Sequence, residues 1–187
     1  VRTSVDQSES DIILNSVDPV KKRSGGSVAN AIAAIAHFGG SSGFCGRVKN
    51  DQLGLDFVSD IKQSGVNFLC EPKKDGPSTA RCLVFVTKDG ERTMQTYLGA
   101  SVNLNEEDIL EDFFADTAML FIEGYLWSSE SARKAIKKAV ELAKKNKIKV
   151  IFSLSDAGLT KAFKDQFNVF ISNDVDILIG NNNEFFE

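Results

Sequence analysis

The sequence predicts an α/β fold: a Rossmann-like parallel sheet flanked by helices, from which a small β-sheet projects. Three observations carry this. Apolar runs of strand length lie at 118–123, 150–154 and 175–179, with a long amphipathic stretch at 129–146 between the first two. A glycine pair, Gly25-Gly26, feeds an alanine-rich stretch that ends at Gly39-Gly40, as helices often do. Strand-like segments at 66–70, 79–87 and 92–98 follow one another with no helical pattern between them. Strand–helix alternation with short links gives parallel strands covered on both faces. Three strands in a row inside that alternation form a separate, smaller sheet.

Taken in order, residues 8–17 have weak helical character, with Ile12, Ile13 and Val17 after a polar start. Ser24-Gly25-Gly26-Ser27 is a turn, and the helix it opens covers 28–38. A short strand is expected at 43–48. Asn50-Asp51 caps a helix over 52–63 that places Leu53, Phe57, Val58 and Ile61 on one face, and Gly65 stops it. In 79–87, Cys82, Val84 and Val86 alternate with Arg81, Leu83 and Phe85. Lys88-Asp89-Gly90-Glu91 then turns the chain into the return strand 92–98. A helix is expected over 106–114. The helix at 129–146 buries Ala132, Ala135, Ile136, Ala139, Val140 and Ala143, and a last helix starts at Asn183.

Composition narrows the function. At 187 residues the chain suffices for one domain with a real core. Its 22 basic and 26 acidic side chains leave a net charge of −4, a poor basis for holding nucleic acid by its phosphates. Apolar runs such as 31–36 and 118–122 are far short of the ~20 residues that span a bilayer. No basic segment with an apolar run behind it opens the chain, so no secretory signal is expected and the cytoplasm is the expected compartment. Val1 rather than Met opens the sequence, which leaves room for residues upstream. Cys45, Cys70 and Cys82 are too far apart in sequence for a metal-ligand pair or a disulfide framework. With His37 the only histidine, a zinc site or a Ser-His-Asp triad has no material; His37 reads as a helix-end residue.

Four places could carry chemistry. At Gly25-Gly26 the missing Cβ atoms let backbone approach a ligand, a helix N-terminus offers free N–H groups, and the Asn30 carboxamide suits a sugar diol. A tight turn before a closely packed helix explains the same residues equally well. Glu123 ends an apolar strand, where ligands of α/β proteins bind, though a strand-end carboxylate can also simply face solvent. Asp156 has the same placement, with helix capping the better reading. In Asn181-Asn182-Asn183-Glu184, Asn181 could bond a phosphate and Glu184 could hold water on a hard cation; capping by Asn, with Glu in the first turn, is the stronger reading of the residues alone. Arg81 and Arg92 read as surface charge, or as ligand contacts if the small sheet closes over a site. Tyr125 and Trp127 read as packing.

Together these motifs resemble the ribokinase-like, or pfkB, carbohydrate kinase family. The resemblance rests on Gly25-Gly26, Asn30 four residues after the second glycine, a helix of small residues, and Gly54 in Asp51-Gln52-Leu53-Gly54. The β-rich segment, Thr96-Tyr97-Leu98-Gly99-Ala100, the Glu123 strand and an N-x-x-E element at Asn181–Glu184 follow in the family's order. Ser78-Thr79-Ala80-Arg81-Cys82, Arg92-Thr93-Met94 and Gly124-Tyr125-Leu126-Trp127 look most like the bacterial adenosine-kinase-like branch. Nearly all 187 residues are covered.

The resemblance implies roles residue by residue. Gly26 and Asn30 match positions that bind ribose or sugar hydroxyls, and Gly25 shapes their turn. Cys82 and Ala100 match lid and lid-return positions near a nucleoside, and Glu123 faces the substrate pocket. Asn181 and Glu184 match the element associated with nucleotide phosphates and Mg2+, although Asn182 stands where members usually carry a second acid. Two family elements find no match: a first strand with a sugar-binding Asp, expected before Val1, and a Gly-Ala-Gly-Asp element with the catalytic Asp, expected beyond Glu187. Residues 1–187 are therefore read as a partial ribokinase-like domain with lid segments at about 66–70 and 79–98, without a catalytic base and inactive alone. The implied activity of the complete protein is phosphoryl transfer from ATP to the 5′-OH of adenosine. Alternatives are a sugar kinase acting on ribose, fructose or a related sugar, and a non-catalytic nucleoside-binding or interaction module. Open β edges on the lid suggest a homodimer.

Overall fold

The computed structural model describes residues 2–19 and 21–187. The chain runs β1 (Arg2–Ser4), α1 (Gln7–Asn15), α2 (Ser27–His37), β2 (Gly43–Phe44), α3 (Gln52–Gln63), β3 (Asn67–Phe68), β4 (Arg81–Val86), β5 (Arg92–Tyr97), β6 (Met119–Glu123), α4 (Glu130–Lys145), β7 (Lys149–Ser153), α5 (Ala157–Ala162), α6 (Lys164–Asp174), β8 (Ile177–Ile179) and α7 (Asn182–Phe186). Among these residues the strands form three sheets: parallel β6-β7-β8, parallel β2-β3, and a lid ordered β1-β5-β4. The expected α/β class with a small projecting sheet is what the structure has.

The β6-β7-β8 sheet forms because three apolar runs are separated by helices that return the chain to the same end. Register places Glu123 beside Ser153, and Ser153 beside Ile179, so the carboxyl ends of all three strands lie together. The α4 face predicted from periodicity packs onto this sheet: Ala132, Ala135, Ile136, Ala139, Val140 and Ala143 are all buried, with Val150 and Phe152 from β7. Trp127, Phe152, Phe167 and Phe170 extend the same core as an aromatic cluster with centroids 4.9–5.8 Å apart. A second, smaller core lies between α2 and α3, where Val28, Ala29, Ile32, Ile61 and Val66 meet Phe44, Phe57 and Phe68. Phe121 of β6 also packs into it, which joins the two parallel sheets through α2.

The lid is an antiparallel β4–β5 hairpin turned at Gly90, where φ is +85°, with β1 added parallel to β5. Arg81 pairs with Tyr97, and α1 packs on their face. The Arg81 guanidinium donates to Ser10 Oγ at 2.7 Å and to Asp11 Oδ1, and the Tyr97 hydroxyl donates to Gln7 Oε1 at 3.0 Å.

Two expectations are corrected. Residues 66–70 do not belong to the lid: β3 pairs with β2, Gly43 opposite Asn67 and Phe44 opposite Phe68. A short strand carries no signal of its partner, and here α3 is the crossover helix that a parallel pair requires. Residues 106–114 do not form one helix but two 3-10 turns, Glu106–Asp108 and Glu111–Phe114. The Asp108 carboxylate reaches back to the Asn105 N–H at 3.0 Å and closes a capping box after a single turn, and Ile109 leaves in an extended conformation. Beyond the capping role read for Asp156, nothing read from the sequence placed the helices α5 and α6 over 157–174.

Candidate functional site

The β6 strand delivers Glu123 to the sheet's carboxyl end, and the next residue has no room for a side chain. A Cβ on Gly124 would meet the carbonyl oxygens of Leu154 and Ser153 at 2.6 and 2.7 Å. This close approach of β6 to the end of β7 is locked by Ser155 Oγ, which accepts from the Gly124 N–H at 2.9 Å, and by the Tyr125 hydroxyl, which donates to Ser155 O at 2.8 Å.

Opposite Glu123 lies the start of α2. Gly26 is the N-cap at φ +118°, a region that side-chain-bearing residues rarely adopt, and it has no side chain to cap the helix. The first N–H groups of α2 therefore have no side-chain cap from that position. Ser27, the first residue of α2, donates its hydroxyl to Glu123 Oε1. The structure thus brings together two features that the sequence listed separately, the Gly25-Gly26 turn and the Glu123 strand end. Ser27 is the residue that joins them, and sequence reasoning missed it; its place directly after the glycine pair was the available signal. Asn30 is exposed one turn into the helix, its N–H bonded to Gly26 O at 2.9 Å. Gly25 is exposed with open space where a Cβ would be.

Cys82 and Ala100 lie on the lid side. Cys82 is exposed on the β4 face opposite α1, in a row with exposed Val84 and Val86, and its sulfur accepts from Thr96 Oγ1 at 3.3 Å. Ala100 is buried just after β5 and donates its N–H to Ser78 O at 2.9 Å. A side-chain and backbone junction holds the lid base: Asp51, the N-cap of α3, accepts from Gly54 N (2.9 Å), Thr79 N (2.9 Å) and Thr79 Oγ1 (2.6 Å). Although burial pushes the Asp51 carboxyl up, the Thr79 and Gly54 donors outweigh it and hold it below 3.8. Arg81 is tied to α1 as described, and its guanidinium lies 5.5 Å from the Tyr97 ring centroid, a structural role.

Asn181 and Glu184 meet in a full capping box at the start of α7. Asn181 Oδ1 accepts from Glu184 N at 3.1 Å, and Glu184 Oε2 accepts from Asn181 N at 3.0 Å; Asn181 Nδ2 donates to Glu184 Oε1 at 2.7 Å. Both carboxylate oxygens of the buried Glu184 are thus engaged by Asn181. Among the described residues no group of three His, Cys, Asp or Glu side chains is placed to hold a metal ion. The residues present therefore do not by themselves make a magnesium site. Asn182 is exposed. Asp156 caps α5, His37 ends α2, and Trp127 is buried against Phe167, as read from the sequence.

Comparison with known proteins fits this geometry. Residues 4–187 match the model of the "pfkB family carbohydrate kinase" family. The 5-dehydro-2-deoxygluconokinase of Bacillus subtilis is 29% identical over 167 residues, 86% of this chain and 51% of that protein. The crystal structure of adenosine kinase from Sinorhizobium meliloti superposes with a TM-score of 0.92 at 36% identity, over 98% of this chain and 56% of that one. Adenosine kinase from Schistosoma mansoni in complex with 2-fluoroadenosine, at 18% identity and a TM-score of 0.81, covers 98% of this chain and 55% of its own and shares the fold. The chain spans about half the length of the curated relatives it matches. No helix among the described residues is long and apolar enough to cross a membrane. With the family model matched from residue 4 to residue 187, and the glycine turn, the strand-end carboxylate and the lid in the expected order, this chain belongs to the pfkB family of carbohydrate kinases.

Proposed function

We propose that the complete protein transfers the γ-phosphoryl group of ATP to a primary hydroxyl, with the 5′-OH of adenosine as the preferred acceptor. The observation that carries this reading is the meeting of the Gly26 turn with Glu123 through Ser27 at the carboxyl end of β6. A positive-φ glycine at an uncapped helix start, beside a strand-end carboxylate, offers both donors and an acceptor to a diol. In this reading Gly26 and Asn30 hold the sugar hydroxyls, Gly25 lets the backbone come close, and Glu123 orients them. The exposed row Cys82, Val84 and Val86 gives the lid an apolar face suited to a purine, with Ala100 at its return. Closing that face over the acceptor would exclude water, so that ATP is not simply hydrolysed. Asn181 keeps a second Nδ2 hydrogen that its cap does not use, and the reading gives that hydrogen to a nucleotide phosphate.

The 187 residues are proposed as the partial domain described above, its lid narrowed to 79–98 with β1. The reading assigns no general base to this chain, so the isolated piece is expected to show no ATP-dependent turnover. Phosphoryl transfer rests on positioning and on charge stabilisation around the transferred group. Both β2 and β6 have an edge without a strand among the described residues, and both pack on α2. We infer that an Asp-bearing strand completes the sheet there. The edge of β4, which has no partner strand among the described residues, supports a homodimer through the lid.

A sugar acceptor is the second reading, favoured by the likeness to 5-dehydro-2-deoxygluconokinases. A panel of adenosine, ribose, fructose and 5-dehydro-2-deoxygluconate, offered with ATP to the complete protein, separates the two. Preferred turnover of adenosine supports the proposal. Preferred turnover of a free sugar replaces it with the second reading. Binding of nucleoside without turnover of any acceptor leaves a binding module.

A further inference from the structure

Outside the site, two cysteines that the kinase reading does not use lie side by side. Cys45 directly follows β2 and Cys70 lies two residues past β3, so the parallel register that puts Phe44 opposite Phe68 also carries the two thiols to one place. Their sulfurs are 3.2 Å apart. Neither is at an exposed position: Cys70 is buried and Cys45 is half-buried against the main core. The Asp108 carbonyl oxygen is within 3.6 Å of Cys45 Sγ. The Asp108 carboxylate, just beyond, is held by Arg47 at 2.8 Å and Lys73 at 2.7 Å, two cations close in sequence to the two thiols. Cys82 stands apart on the lid and takes no part.

We propose that Cys45 and Cys70 are a redox pair that closes to a reversible disulfide when a peroxide reaches them. The chemistry follows from which sulfur holds the proton. At 3.2 Å either sulfur can donate to the other; with Cys45 as the donor, the Cys70 thiol is held below its ordinary value and that of Cys45 is raised. Cys70 is therefore the sulfur that becomes thiolate and attacks. Its electron pair displaces hydroxide from hydrogen peroxide, breaking the O–O bond and leaving a sulfenic acid; the Cys45 sulfur then attacks that sulfur, expels hydroxide and forms the S–S bond. Protons released from the two thiols neutralise the two hydroxides. In sum, two thiols and one peroxide give one disulfide and two waters, with sulfur oxidised and peroxide oxygen reduced. In a reducing compartment such a bond forms transiently and is undone by thiol exchange, which is how cytosolic disulfides generally act.

The position gives the bond a consequence. Beyond the thiols the two segments run on as a ladder toward the lid: Lys73 N donates to Val48 O at 2.9 Å, Asn50 N donates to Lys73 O at 2.8 Å, and Asp51 then holds Thr79. A disulfide at the foot of this ladder clamps the base from which β4 rises.

The test uses the full-length protein carrying Cys82→Ser, so that two of the three thiols of this segment remain. It is treated with hydrogen peroxide, quenched with N-ethylmaleimide and mapped by non-reducing peptide mass spectrometry. The expected result is a peptide pair joining Cys45 to Cys70, lighter by two hydrogens and released by dithiothreitol, together with a higher thermal midpoint in the oxidised form than in the reduced one. In the Cys45→Ser variant, oxidation of Cys70 should stop at a sulfenic acid that dimedone traps. The map of the Cys82→Ser protein stands by itself if the Cys45→Ser variant does not fold. The proposal is overturned if both cysteines remain alkylated after oxidation, if each is oxidised singly without a link, or if the link forms with no change in the thermal midpoint.

Discussion

The lid and the β6-β7-β8 body are held by different forces. In the body, Trp127, Phe152, Phe167 and Phe170 interlock at centroid distances of 4.9–5.8 Å, under a helix whose alanines let it lie close to the sheet. No residue of β4 or β5 belongs to either hydrophobic cluster. The lid is instead tied to α1 by Arg81, Tyr97 and their partners, and to the start of α3 by Asp51 with Thr79. A net hydrogen bond is worth about 1 kcal/mol because water can replace either partner, whereas a buried aromatic is worth several times that. By this accounting the body is the more tightly packed part, and the lid, in its proposed role as a cover over the acceptor, is the part expected to open at least cost.

The largest expected effect tests the body. Phe152 is fully buried, and Phe152→Ala should lower stability by about 3–5 kcal/mol, read as a shift of the urea midpoint. A loss below about 1 kcal/mol, on the same scale as a single polar tie, would break the contrast with the lid.

Next comes the ion-pair junction between the body and the segments that follow β2 and β3. Asp108 is buried under Arg47 and Lys73, so Asp108→Ala strands a half-buried guanidinium and should cost about 3 kcal/mol. The same group sets a pH dependence. Burial pushes its carboxyl up, but Lys73, the Asn105 N–H and Arg47 outweigh this and hold it below its ordinary 3.8. A carboxyl depressed in the fold contributes stability that is fully present above its unfolded value and is lost as pH falls through the folded one. Asp51 is depressed too, so both contributions are fully present above pH 3.8 and are lost as pH falls below it, through the folded values. Acid unfolding followed by circular dichroism should shift to higher pH in Asp108→Asn, because the variant lacks the Asp108 contribution that the parent keeps until its carboxyl is protonated.

How much of this was legible depends on whether a feature is local. Periodicity placed α3 at 52–63 and the inner face of α4, because each helix carries its own record of which side is buried. The Gly25-Gly26 turn and the strand-end Glu123 were legible for the same reason. Parallel pairing is not local, so nothing in 66–70 reveals that its partner is Gly43–Phe44 rather than the lid. The single turn at 106–108 ends on a side chain reaching back to Asn105, which periodicity does not register. Ser27 with Glu123, 96 residues apart, and Cys45 with Cys70 are juxtapositions that only the fold makes.

A smaller effect sharpens the lid's side of the comparison. Arg81→Ala removes the donors to Ser10 and Asp11 and should cost about 1–2 kcal/mol, confined to the lid. Hydrogen exchange should quicken in β4 and β5 while β6 and β7 keep their protection. Equal quickening in both sheets would mean that they unfold as one unit and that the lid has no separate freedom.

The smallest effect decides a residue rather than a region. Asn181 has two readings, helix cap and phosphate ligand, and the structure shows the capping box in full. Asn181→Ala removes the cap acceptor and should cost about 1 kcal/mol. Asn181→Ser restores an acceptor for the Glu184 N–H, so its stability should return to within about 0.5 kcal/mol of the parent, but it has no amide donor to offer an anion. ATP affinity of the full-length protein, measured by calorimetry on the serine variant, then separates the roles. Affinity lost while stability is kept assigns the Nδ2 group to the nucleotide. Affinity unchanged in both variants makes Asn181 a cap alone, and the phosphates must then be held by residues outside this element.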